Sequence, residues 1–430
     1  MVDLKHYVKL KISIVSVVWI AVSSIASSAH GAETLASAGH DAWAIYHPDP
    51  KNIWNRAFCH LYERQTETDT TRCGYDELNA WPHTARLLKG PSHAKALALL
   101  DELVSLREGK PITDPLKRAV LQHDLWTIFE GTRRDDSWPA IRLQKALVKG
   151  MQRLALSRRE IDSLPDNYLS AVRARAFPAQ YDPSNPDQPF LPPDLWDPKG
   201  PWVLISSIIG GVAAPFHVKG FHTPSLFFVF LKLPDGRQTT LDYLKRLNQA
   251  SDTAPGEIGA LPPLPQGTMV ALARTMFVVS DKAYPYPTPI TESIQIRVYR
   301  EPKKVSRSPP ELGGLDTFDQ DFYMFKLDRK ALFSGKPSSL LPVTEEDVTF
   351  IEGAVGSRRT LDSCLFCHHG RGITSLQTYF RALPIGETLP RLGEGRRNHE
   401  EYLIRAWKTA DFSWGYLLGL WHSQLKRNSR

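Results

Sequence analysis

Cysteine is scarce, with four residues in a chain of 430, and methionine hardly less so, with five. Met324 is the last methionine, so nothing after it can offer a thioether to a metal. No glycine-rich phosphate loop, G-x-S-x-G turn or H-E-x-x-H pair occurs, so nucleotide, serine-hydrolase and zinc-protease chemistry have no motif here. No Lys/Arg block with interleaved aromatics tracks a phosphate backbone, and nucleic acid is not an expected partner. After residue 25 no stretch is apolar enough to cross a bilayer, and there is no internal repeat or low-complexity tract.

What is present begins at the N-terminus. Lys5, Lys9 and Lys11 precede an uncharged apolar run from Ile12 to Ile25, and small and polar residues follow at Ser27 to Ala32. That order matches the three regions of a secretory signal peptide, so residues 1–32 are expected to be removed on export. The run is short for a hydrocarbon core of ~30 Å; the alternatives are an uncleaved anchor or a buried helix. The expected location is the periplasm or outside the cell, with no membrane span after cleavage. The remaining chain is long enough for two or three domains. Hydrophobic content of 42% and charged content of 23% are those of a globular protein with a core. A net charge of +7 suits an acidic protein partner or an anionic membrane surface.

The cysteines fall into two pairs. Export places them in an oxidising compartment, so Cys59 and Cys73 are expected to close a short loop as a disulfide worth ~2–4 kcal/mol. The alternative is two buried thiols. Cys364 and Cys367 differ because His368 follows directly, completing C-x-x-C-H, the haem attachment pattern. Two thiols at this separation match the two vinyl groups of haem, and the next imidazole reaches the iron. A zinc site would need further ligands that the first pair is not spaced to supply. A thiol-redox C-x-x-C would open a helix in a βαβ unit, and no such unit adjoins it.

Cys364-Leu365-Phe366-Cys367-His368 resembles the attachment motif of c-type cytochromes. The resemblance covers five residues; the rest of the chain is similar to large exported bacterial proteins that carry one such motif near the C-terminus. It implies one covalent haem c held by Cys364 and Cys367, His368 as proximal iron ligand, and electron transfer.

The pattern along the chain reads as α+β, with an N-terminal helical domain, a central antiparallel β domain and a C-terminal helical haem c segment. Residues 33–177 are read as helical. Asp114-Pro115 starts one helix, Ser137 another, and Ser157 with Glu160 forms a capping box. Residues 178–201 contain eight prolines, which excludes helix; the stretch reads as a linker, with a surface strap as the alternative. Residues 202–340 read as strands: Trp202 to Ile209, a hairpin of Ser225 to Leu233 with Gln238 to Leu241 across Asp235-Gly236, Met269 to Val279, and Ser293 to Arg300. The alternation of Ile294, Ile296 and Val298 implies one buried face. Residues 341–430 hold the motif, an aromatic set including Trp407, Trp414 and Trp421, and two helices, one starting at Asn398 and one at Ser413. The aromatics suit a haem cup or an ordinary core equally.

The distal side of the iron is open to several candidates: His399 and His422 downstream, and His217, His222 and Met324 upstream. His369 points ~100° from His368 on a helix and is a poor ligand for the same iron. Arg371 could pair with a haem propionate. Six-coordinate iron implies an electron carrier, and an open distal face implies a haem oxidoreductase. The third reading is a secreted binding protein whose cysteines hold zinc or a disulfide.

Overall fold

The computed structural model describes residues 44–65, 71–73, 84–105, 112–207, 212–214, 217–218, 224–253, 262–300, 320–344, 347–350, 357–361 and 391–428. The expected signal segment, His222, Cys364, Cys367, His368, His369 and Arg371 lie outside these residues.

The described residues begin with helix α1 (Ile53–Leu61) and a two-stranded ribbon, β1 (Glu63–Gln65) and β2 (Thr71–Cys73). Five helices follow: α2 (Gly90–Ser105), α3 (Pro115–Thr132), α4 (Trp138–Arg153), α5 (Arg158–Asp162) and α6 (Asn167–Arg173). Their starts are set by local chemistry. The Asp114 carboxylate accepts from the Leu116 N–H at 2.9 Å, ahead of Pro115 at the first helical position. Ser137 caps α4, and Ser157 with Glu160 forms the reciprocal capping box that starts α5. Each such cap is worth ~1 kcal/mol.

The strands then come in sequence: β3 (Val203–Ser207), β4 (Ser225–Lys232), β5 (Met269–Val279), β6 (Pro285–Tyr299), β7 (Gln320–Leu327), β8 (Leu340–Pro342), β9 (Val348–Phe350), β10 (Ser357–Arg359) and β11 (Leu392–Glu394). Helix α7 (Arg237–Thr253) lies between β4 and β5, and α8 (Arg329–Phe333) between β7 and β8. Helices α9 (Arg397–Ala410) and α10 (Phe412–Asn428) end the chain. Seven strands form one antiparallel sheet in the order β11-β3-β4-β5-β6-β7-β8, while β9 and β10 pair separately.

The β5–β6 hairpin outruns its neighbours. Pairing with β4 reaches Ser225–Met276 and pairing with β7 reaches Ser293–Lys326, and the hairpin continues past both. Helix amides take over there. Gln122 of α3 donates from Nε2 to the Val279 carbonyl (2.8 Å) and accepts the Val279 N–H (2.7 Å). Asn167 of α6 does the same at Thr291, at 3.0 and 2.7 Å. At the far edge of the sheet Asn248 of α7 clamps Leu392 at 2.8 and 3.0 Å. Each amide gives its strand residue one donor and one acceptor, the complement that an unpaired strand residue presents.

Several expectations need correction. Gln238 to Leu241 is not a strand; it starts α7, whose Thr240, Tyr243, Leu244 and Leu247 make a buried helical stripe. Gly236, at φ +88°, turns the chain into that helix rather than into a hairpin. Both sheet faces are covered, not one. Residues 178–201 form a strap, with Phe190, Leu191 and Leu195 buried and Trp196 edge-on to Phe228 and Phe230 at 5.1 and 4.9 Å. The helices of 33–177 and the strands of 202–340 share one contiguous core, which includes Trp126, Leu143, Phe228, Ile294 and Trp421. The helix expected at Asn398 begins at Arg397 with Arg396 in the capping position, and that position makes no side-chain cap bond. Trp414 and Trp421 are core residues: Trp414 packs on Trp126 (5.6 Å between centroids), and the Trp421 carbonyl accepts from Gln152 at 2.8 Å.

Candidate functional site

Directly opposed residues in an antiparallel sheet share a face, so the register sorts the side chains. Phe228, Ala273, Ile294 and Phe325 lie in one row; Phe230, Ala271, Ile296 and Tyr323 lie in another on the same side. That face is apolar and packs against the strap. The opposite face carries Phe227, Arg274, Ser293 and Lys326 in one row and Val229, Leu272, Gln295 and Met324 in the next. Leu231, Val270, Arg297 and Phe322 follow. Arg274 and Arg297 are 4% and 5% exposed, so this face, though largely apolar, buries two guanidinium groups and is the more polar of the two. A buried polar surface is the informative kind, because it must be matched by hydrogen bonds or charge.

His217 lies against this polar face, 5.3 Å from the Phe227 ring between centroids. Burial, with Arg297 and Arg274 nearby, lowers its pKa to about 3, so the imidazole is neutral at ordinary pH. Arg274 is held by the Ser225 hydroxyl (3.1 Å from Nε), by Glu292 (3.2 Å) and by the face of Phe227. Arg297 donates to the Tyr299 hydroxyl at 3.3 Å. Met324 is buried in β7, three strands across from Phe227.

The expected distal ligands therefore separate. His217 and Met324 lie on this polar face. His399 and His422 are exposed on α9 and α10. His399 lines a polar hollow of about 520 Å³ with Glu394, Arg396, Asn398 and Tyr402. Cys59 lies in α1, and Cys73 ends β2, opposite Glu63.

Sequence reasoning missed three buried charge clusters on α3, a helix whose residues from Ala119 to Glu130 are all buried. His123 meets Glu292 at 2.9 Å, and Arg274 reaches the same carboxylate. Burial alone would raise the Glu292 pKa, but Arg274 and His123 override it and hold it at about 2. Asp124 receives both Nη atoms of Arg329 at 2.7 Å and the Tyr46 hydroxyl. Glu130 pairs with Lys408 at 2.9 Å and accepts from the Trp126 ring N–H at 3.0 Å. Single charged residues on a helix read as a solvated face, so only the apolar residues on both sides of Gln122-His123-Asp124 hinted at burial. The polar sheet face left a clearer trace in the alternation of Gln295, Arg297 and Tyr299.

Among the described residues, no group of three or more His, Cys, Asp and Glu is placed to hold a metal ion, and no helix is long and apolar enough to cross a membrane. No protein-family model, curated protein or solved structure matches the chain.

Proposed function

We propose that the protein is an exported single-haem c-type protein that transfers electrons, with the haem attached at Cys364 and Cys367, ligated by His368, and seated on the polar face of the sheet. The motif carries the haem assignment. The buried polar face carries its location, because its residues fit the group. A neutral imidazole is the form that ligates iron, and His217 is held in that form. Arg297 would supply positive charge to a haem propionate, while Arg274 is already matched by Glu292 at 3.2 Å.

Chain connectivity supports the same face. Lys326 projects from it and pairs with Asp347, whose carbonyl accepts the Thr360 N–H at 2.8 Å. Cys364 is three residues beyond Leu361, a reach of about 10 Å at most. On the return, Arg391 pairs with Asp252 of α7, and Asn248 of that helix clamps Leu392. Both anchors lie at the sheet, one on either side in sequence of the motif-bearing stretch.

A six-coordinate haem c carries one electron between partners. In this reading His217 is the distal ligand, with Met324 the alternative on the same face, and the redox partner is an acidic protein. The test is absorption spectroscopy on protein exported with a c-type maturation system. The parent should be low-spin, and His217→Ala should turn it high-spin, while His399→Ala and His422→Ala leave the spectrum unchanged. A spectrum indifferent to His217 and Met324 would remove the haem from this face. A high-spin parent that shifts with cyanide would make it a haem oxidoreductase instead. A colourless protein would end the haem reading and turn attention to zinc and disulfides.

A further inference from the structure

Helices α4 and α10 pack side by side on the outside of the helical layer. The Gln152 amide donates to the Trp421 carbonyl at 2.8 Å, and Arg133, which caps the end of α3, meets Asp411 at 3.1 Å just before α10 begins. Trp138, Arg142, Lys145 and Lys149 of α4 are all exposed. Their steps of four, three and four place them in one stripe along the helix. The opposite stripe, Ala140, Leu143, Leu147, Val148 and Met151, is buried. Residues 138–153 and 412–428 contain no Asp or Glu. The acids that adjoin α4 in the sequence, Asp135 and Asp136, precede Trp138, with Arg134 directly before them.

The start of each helix also presents an aromatic ring to solvent. Trp138 is 67% exposed and Phe412 is 80% exposed. Phe412 is not loose: its ring stacks on Tyr416 at 6.3 Å, and Tyr416 stacks on buried Phe129 at 6.1 Å. A solvent-facing ring at the head of the cationic stripe, and a second on the neighbouring helix, match the two layers of a bilayer surface, where aromatics enter the headgroup region and Lys and Arg meet anionic headgroups.

We infer that the α4–α10 face binds the surface of an anionic lipid bilayer, with Arg142, Lys145 and Lys149 over the headgroups and Trp138 and Phe412 inserted at the interface. Charge complementarity selects this occupant, and the exposed rings favour a bilayer over an acidic protein. Three cations near such a surface favour it over a neutral one by about a hundredfold. The inference does not depend on the haem.

The test is co-sedimentation of the exported protein with phosphatidylcholine vesicles, with and without about a third phosphatidylglycerol, at low and high salt. Binding should favour the anionic vesicles by about a hundredfold and weaken with salt. Arg142→Glu with Lys149→Glu should abolish that preference. Trp138→Ala with Phe412→Ala should weaken binding and leave the salt dependence in place. All four residues are exposed, so circular dichroism should show each variant folded like the parent. Equal binding to both vesicles, or binding indifferent to the charge reversals, overturns the inference. Absence of vesicle binding together with reversal-sensitive retention on an immobilised acidic protein also overturns it and gives the face to a protein partner.

Discussion

Replacing Gln122 with leucine should destabilise the protein by about 3 kcal/mol, far more than a polar-to-apolar change on a helix ordinarily does. Gln122 is fully buried, and its amide serves three backbone groups: the Val279 N–H, the Val279 carbonyl and the Met151 carbonyl, at 2.7, 2.8 and 3.0 Å. Leucine keeps the approximate volume and leaves all three groups without that partner. A buried backbone group left unsatisfied costs ~1–3 kcal/mol, so the gross loss is on the order of 5 kcal/mol. Burying the leucine side chain returns ~2 kcal/mol. Asn248→Leu is the control, because the same clamp at Leu392 is only half-buried and water can replace the amide; it should cost about 1 kcal/mol. The assay is urea unfolding followed by circular dichroism, with both variants compared at equal slope. A loss below 1 kcal/mol for Gln122→Leu would refute the idea that side-chain amides carry the projecting hairpin.

Two further outcomes follow from the charges on α3. Asp124→Asn should cost about 3 kcal/mol in the same assay, since it leaves Arg329 buried without its carboxylate, whereas Asp124→Leu combined with Arg329→Met should cost less than the single change. Glu292 has a depressed folded-state pKa, so the stability it contributes is complete above its ordinary value of 4.5 and is lost as the pH falls from there towards about 2. Glu292→Gln should therefore flatten the acid limb of the stability–pH curve over that window, and an unchanged limb would assign the acid sensitivity to other groups.

Much of the helical layer was legible because its signals are local. Asp114-Pro115, Ser137 and the Ser157–Glu160 box each act within four residues, and the structure bears out all three. Strand β5 was legible from its apolar run, at the bounds observed. Asp235-Gly236 misled because a turn before a helix and a turn inside a hairpin use the same residues; the stripe at 240, 243, 244 and 247 was the stronger signal. The amide clamps could not be read, because Gln122 and Val279 are 157 positions apart and a glutamine on a helix suggests solvent. The eight prolines of 178–201 excluded helix without deciding whether the stretch spans a gap or covers a sheet. What decided it was Trp196 and Phe190 packing on the apolar face. The sheet alternation suggested where His217 and Met324 belong only once the register had divided an apolar face from a polar one.

The measurement that bears most directly on the central claim is the intact mass of the exported protein after acid–acetone extraction, beside that of Cys364→Ala with Cys367→Ala. The account predicts a parent heavier than its polypeptide by one haem, retaining its Soret band through extraction, and a colourless double variant at polypeptide mass. A parent at polypeptide mass under full haem maturation would contradict it.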